Sequence, residues 1–174
     1  IFEQGTYNNW NYTTPTLYTQ MWAQTIVGLD ELVHVFRKSP VIRGLIVMQG
    51  ETDAILAGAG AVYKSNWTTW INTMIDDIVA YGYTVNKMRI YFWQITDVGG
   101  AAYDPTEFAA VKAAQIDLGT NYLTDNPSRT ANIPSVTTRT TDDISLADAQ
   151  HYNAAGLDAM GVHLFDHFKV FNNE

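Results

Sequence analysis

Two short stretches hold the residue types that could do chemistry together. Asp148-Ala-Gln-His151 places a carboxylate three residues before an imidazole. Acyl transfer by an alcohol nucleophile needs a base for the hydroxyl proton, and an acceptor that holds that base in one tautomer. A tight turn carrying Asp148 and His151 can supply both. The same pattern also reads as a helix-capping aspartate beside a surface imidazole. The second stretch, Gln49-Gly-Glu-Thr-Asp53, gathers a carboxamide, a glycine and two carboxylates within five residues. Its bland alternative is a polar loop that caps the following helix.

The elements around these stretches decide where they sit. Val41-Ile-Arg-Gly-Leu-Ile-Val-Met48 is an apolar, β-branched run and reads as a strand buried on both faces. In an open parallel sheet the carboxyl end of such a strand presents functional groups, which is where Gln49 to Asp53 falls. Before it, Thr14-Pro15 opens a helix with Trp22, Ile26, Leu29, Val33 and Phe36 at helical spacing, ended by Ser39-Pro40. After it, Tyr63, Trp67, Trp70, Met74 and Ile78 line one stripe of a second helix that stops near Gly82.

Met88 to Ile95 is the second clear strand. Asp104-Pro105-Thr-Glu107 opens a third helix with an N-cap, a proline at the first position and a capping-box glutamate. Its stripe is Phe108, Val111, Gln115, Leu118 and Tyr122, with Gln115 the one polar intruder. Ile133 to Thr138 is a weaker strand. Asn153 caps a last helix with Leu157, Met160, Leu164, Phe168 and Phe171 on its stripe. Strands alternating with helices of this length predict a three-layer α/β/α sandwich with a mainly parallel sheet. The 174 residues read as one domain over 1–174, with no linker or repeat.

Composition narrows the partners. A formal net charge of -8, with no basic stripe, argues against a nucleic-acid partner and is compatible with a neutral ligand such as a sugar. No apolar run reaches the length of a membrane span. With no cysteine, disulfides, thiolate metal sites and a cysteine nucleophile are excluded. The chain opens at Ile1 without an initiator methionine, so upstream sequence is expected.

Three blocks in order carry a family resemblance. The tail from Asp143 to Gly161, with Asp148-Ala-Gln-His-Tyr-Asn153 and Gly156, resembles the last motif block of the SGNH (GDSL-like) hydrolases. Within them it is similar to the carbohydrate esterases of the sialate O-acetylesterase and acetylxylan esterase type. Gln49-Gly-Glu-Thr-Asp53 is similar to that subgroup's Q-G-E-[ST]-D signature, and Gln115 matches a glutamine common there. Gly5-Thr-Tyr-Asn-Asn-Trp10 resembles its G-T-x-x-x-W segment. The resemblance implies an SGNH-type fold that releases acetyl esters from a carbohydrate without a cofactor or metal. It implies that His151 is the general base and then acid, with Asp148 orienting it. Gly5 would offer its backbone N–H, and Gln49 its side-chain amide, to the oxyanion. Glu51 and Asp53 would support the loop, Glu51 being the one that faces the site. Trp10 is a candidate plate for a sugar ring.

The family's nucleophile block is missing. It is a serine in a G-x-S motif after the first strand, whereas serines stand here only at 39, 65, 128, 135 and 145. Ser65 precedes Asn66, as a family nucleophile would, but falls on a helix among aromatic core positions. The nucleophile and its strand are therefore expected before Ile1, on an upstream segment or a companion chain, and that strand would lie beside Val41–Met48. The sequence portion is then N-terminally incomplete, and inactive by itself. The alternative function is a non-catalytic glycan-binding module derived from such an esterase, on a cell-surface or virion-associated protein. His163 and His167, four apart, have a spacing that can bind zinc. With no third ligand signalled, they read as a solvated face.

Overall fold

The computed structural model describes residues 17–96, 103–141, 143–147 and 151–169. The elements run α1 (Leu17–His34), β1 (Val41–Met48), α2 (Ala59–Ala80), β2 (Thr84–Trp93), α3 (Pro105–Asp125), a 3-10 turn (Pro127–Arg129), β3 (Ser135–Arg139) and α4 (Ala154–Lys169). The three strands form a parallel sheet in the order β1-β2-β3. Helices cover both of its faces, so the chain is a three-layer α/β/α sandwich.

The layers follow from alternation along β2. Met88, Ile90 and Phe92 turn toward α2 and α3, while Tyr91 and Trp93 turn toward α4. Two bulged residues at Asn86–Lys87, where Lys87 takes a positive φ of 52°, bring this alternation into register with Gly44 to Met48 of β1. On the first face the aromatic stripe of α2 is fully inside. Trp67 meets Trp70 at 5.1 Å and Phe92 at 5.6 Å, both edge-on, and Tyr18 of α1 meets Trp70 at 6.0 Å. Edge-to-face geometry adds roughly 0.5–1.5 kcal/mol per pair to the area buried.

α2 and α3 approach closely because Gly60 has no side chain. A Cβ there would lie 2.5 Å from Cβ of Ala110. Gly60 and Ala61 thus belong to the first turn of α2. Asp104 caps α3 as expected, accepting from the amides of Thr106 at 2.8 Å and Glu107 at 3.1 Å. Glu107 does not close a capping box, however. The Asp104 amide donates to the carbonyl of Ala54 at 3.0 Å, and the Glu107 carboxylate crosses to α2. There it accepts from the amides of Gly58 at 2.6 Å and Gly60 at 2.8 Å. Gly58, at φ 81°, has no side chain to cap its own helix, and Glu107 does that from outside.

Four further expectations are corrected. β1 is not buried on both faces: among the described residues it is an edge strand, with Ile46 and Met48 each 50% exposed. Its apolar run is that of an interior strand, but no described strand pairs with its outer edge. Phe36 lies beyond the end of α1 and is exposed, because the chain leaves the helix through Arg37 at φ 53°. On α4, Leu157 faces solvent, while Met160, His163 and His167 face the sheet. His163 and His167 are therefore not a solvated pair. They pack edge-on against Trp93 at 6.2 Å and Tyr91 at 4.8 Å.

The crossing bond from Glu107 gives a prediction. Glu107→Ala should lower unfolding free energy by about 1–2 kcal/mol, as loss of a helix cap does. A urea titration followed by circular dichroism checks this; an unchanged midpoint would mean that the α2 amides find other partners.

Candidate active site

The ladder between β1 and β2 ends at the pair Met48–Trp93, and polar groups begin at once. The carbonyl of Gln49 accepts two hydrogen bonds, from the Tyr63 hydroxyl of α2 at 2.7 Å and from Nε2 of Gln115 of α3 at 2.9 Å. Gln115 also accepts the Ile95 amide on Oε1 at 2.9 Å. Fully buried, this side chain bridges the carboxyl ends of both strands. Gly50 follows at φ 145°, and a Cβ there would lie 2.9 Å from Ile95 Cγ2 and 3.0 Å from Gln115 Nε2. Only glycine fits this turn.

The side chain of Gln49 is held as firmly as its backbone. Nε2 donates to the buried carboxylate of Asp53, and Oε1 accepts from the Trp67 indole at 3.3 Å. One N–H of the amide is thereby committed, and the second has no partner among the described residues. Asp53 is the local support of this loop, and Trp67, read in the sequence as core alone, also orients Gln49.

Glu51 lies in the same loop, half-buried. Burial pushes its carboxyl above the usual range and the Asp53 carboxylate adds to that, while its own amide, that of Gly50 and nearby His151 pull the other way. His151, from the far end of the chain, thus comes within electrostatic reach of Glu51. A small hairpin presents it: the Ala147 amide donates to the His151 carbonyl at 2.7 Å, Leu146 bridges Tyr152, and the Asn153 amide donates to the Ser145 carbonyl at 3.2 Å. Asn153 then caps α4 through the Gly156 amide at 2.8 Å. A Cβ at Gly156 would lie 2.1 Å from the Ser145 carbonyl oxygen, so glycine lets the hairpin rest on the helix. Tyr103, stacked on Phe108 at 5.1 Å, lies within electrostatic reach of Glu51 and Tyr152. Among the described residues its hydroxyl is buried without a hydrogen-bond partner, and burial pushes it up to about 12, with Glu51 and Tyr152 contributing.

Of the residues singled out in the sequence, Gln49, Glu51, Asp53 and His151 gather at one end of the sheet. Asp148, Gly5 and Trp10 lie outside the described residues. Sequence reasoning missed Tyr63, Trp67 and Tyr103 as parts of the site. The polar residue in the α3 stripe, Gln115, was the available signal; Tyr103 gave none. The serines do not join the group. The Ser65 hydroxyl donates to the Val62 carbonyl on the exposed side of α2, and the Ser145 hydroxyl accepts from Asn153 Nδ2 at 2.6 Å. Ser135 starts β3, at the opposite end of the sheet. Among the described residues no cluster of three or more His, Cys, Asp or Glu side chains could hold a metal ion.

No family model matches the chain. No curated protein matches it either. Among solved structures, an Arabidopsis thaliana protein determined by X-ray crystallography at 1.6 Å resolution superposes with a TM-score of 0.66 at 18% identity. The match covers 96% of this chain and 57% of that one, so the chain spans little more than half the length of that neighbour. At this identity the likeness is one of fold.

The environment of Glu51 sets a pH dependence. The folded chain binds its proton more tightly than the unfolded chain, so stability falls as pH rises from the ordinary carboxylate range through the raised value. Glu51→Gln removes that penalty. The variant should melt above the wild type at about pH 8 and lose this advantage near about pH 4. Melting curves across that range check it; a difference that does not vary with pH would show that burial does not raise Glu51.

Proposed function

We propose that the chain is the greater part of a carbohydrate O-acetyl esterase of the SGNH type, acting by serine-type acyl transfer. The observation that carries this reading is the meeting of the Gln49–Asp53 loop with His151 at the carboxyl end of a parallel sheet. That is the place where α/β enzymes hold ligands. The order and wording of the blocks around Gln49 and His151, which resemble the sialate O-acetylesterase and acetylxylan esterase group, support it. The 18% identical neighbour supports only the architecture.

In this reading the nucleophile comes from outside the chain, on an upstream segment or companion chain. Among the described residues no strand pairs with the outer edge of β1, where Ile46 and Met48 are half-exposed, which favours a further strand there. The serine hydroxyl attacks the acetyl carbonyl while His151 takes its proton. Asp148 keeps the imidazole in the right tautomer, and the second N–H of Gln49, with the Gly5 amide, stabilises the oxyanion. The sugar hydroxyl leaves with the proton from His151, and water, deprotonated by the same imidazole, then releases acetate. Trp10 stacks on the sugar ring. No cofactor, nucleic acid or membrane enters the scheme. A glycan-binding module is the second reading. It is favoured by the placement of Ser65 and Ser145, whose hydroxyls belong to helix and hairpin.

The test compares residues 1–174 with a longer form carrying the upstream sequence, on acetylated xylan and p-nitrophenyl acetate. The longer form should release acetate and the chain alone should not. In the longer form His151→Ala should cost about 10³-fold or more, and Asp148→Asn somewhat less, with folding retained. Full activity in His151→Ala would contradict the assignment. Glycan retention without acetate release by the longer form would favour the binding module. Equal activity of the two forms, lost on changing one of the five serines, would show that the nucleophile is on this chain.

A further inference from the structure

The parallel ladder of β1 and β2 stops one rung early, and a side chain stands in the rung's place. The Gln94 amide turns to β3 and donates to the Arg139 carbonyl at 2.9 Å. Successive amides point to opposite sides of a strand, so the Ile95 amide faces β1. In register with the pair Met48–Trp93, the next rung would join Ile95 N–H to the Gln49 carbonyl. Instead, Gln115 Oε1 accepts from Ile95 at 2.9 Å and Nε2 donates to the Gln49 carbonyl at 2.9 Å. The carboxamide is an inserted peptide-like unit. It keeps the hydrogen bonds of the rung but moves the two strand ends apart by its own width.

We propose that Gln115 is a positioning residue that opens the crevice between β1 and β2 and, through the Gln49 carbonyl, sets where the Gln49 side-chain amide points. Its kinetic consequences rest on the esterase reading. Gln115 occupies a position in an otherwise apolar stripe where leucine or methionine would fit the core pattern. A buried carboxamide is tolerated there only because its bonds are made. Besides the Gln49 carbonyl, Nε2 donates to the Tyr63 hydroxyl at 3.2 Å. Tyr63 itself donates to the same Gln49 carbonyl. Two helices therefore converge on one peptide unit, and the turn that follows has no room for any side chain at Gly50. Asp53 and Trp67 fix the Gln49 amide relative to that unit, so displacing the unit displaces the donor.

A double-mutant cycle in the longer form tests this. Gln115→Met, similar in volume but without donor or acceptor, should lower kcat about tenfold or more with KM within about twofold, since the donor acts most on the transition state. In a Gln49→Ala background the same substitution should cost nothing further, because Gln115 acts through Gln49. Equal fold losses in both backgrounds would overturn the proposal. Tyr63→Phe, which removes one donor to the same carbonyl without altering packing, should show a smaller loss that also vanishes in Gln49→Ala; it serves if Gln115→Met does not fold. If the longer form turns over no acetyl ester, the esterase reading fails, and amide exchange in the chain itself decides the positioning role. The amides of Ala54 and Ile95 should then exchange about tenfold faster in the Gln115→Met and Tyr63→Phe variants than in the wild type. Unchanged exchange would overturn it.

Discussion

The point where β1 and β2 part is the constraint on which the site end of the molecule depends. Below it, the strands are joined by a parallel ladder and buried under aromatic side chains. Above it, the backbone would run on with unpaired polar groups, which a buried sheet end does not tolerate. Gln115 and Tyr63 satisfy those groups from two different helices. They can do so only because α2 and α3 are themselves close, at the contact of Gly60 with Ala110. Glu107 reinforces that contact by capping α2 from α3. A glycine in one helix, a carboxylate at the start of another and a carboxamide midway along it thus serve one end: to hold Gln49 and Gly50 where the strand leaves the sheet.

Electrostatics adds a second layer. In a chain of net charge -8, burial first, and the Asp53 carboxylate after it, raise the Glu51 carboxyl above its usual range. Asp53 has the Gln49 amide as its donor. The Glu51 carboxyl, His151 and the Tyr103 hydroxyl, which has no hydrogen-bond partner among the described residues, lie near one another at this end of the sheet.

Much of the fold was legible because burial here follows period. The aromatic stripe of α2, the apolar stripe of α3 and the capping of α3 and α4 by Asp104 and Asn153 all lie where spacing put them. The exceptions have physical causes. Val41–Met48 carries the composition of an interior strand, yet its neighbours among the described residues cover only one edge. Glu107 had the right spacing for a capping box, but the bare N-terminus of α2 competed for its carboxylate. His163 and His167 share a helix face that spacing could not assign to solvent or sheet; Tyr91 and Trp93 claim it. At the site, Gln115 showed itself as a polar residue in an apolar stripe. Tyr63 and Trp67 were hidden, since each is both a core aromatic and a donor to Gln49.

The central claim is that this crevice performs acyl transfer with a serine supplied from outside the chain. Its most direct test is covalent. The longer form is incubated with a serine-directed fluorophosphonate, digested and mapped by mass spectrometry, with a His151→Ala variant beside it. The account predicts a single adduct on a serine upstream of Ile1, with labelling strongly slowed in His151→Ala. An adduct on Ser65 or Ser145, or no adduct in a folded protein that still binds glycan, would contradict it.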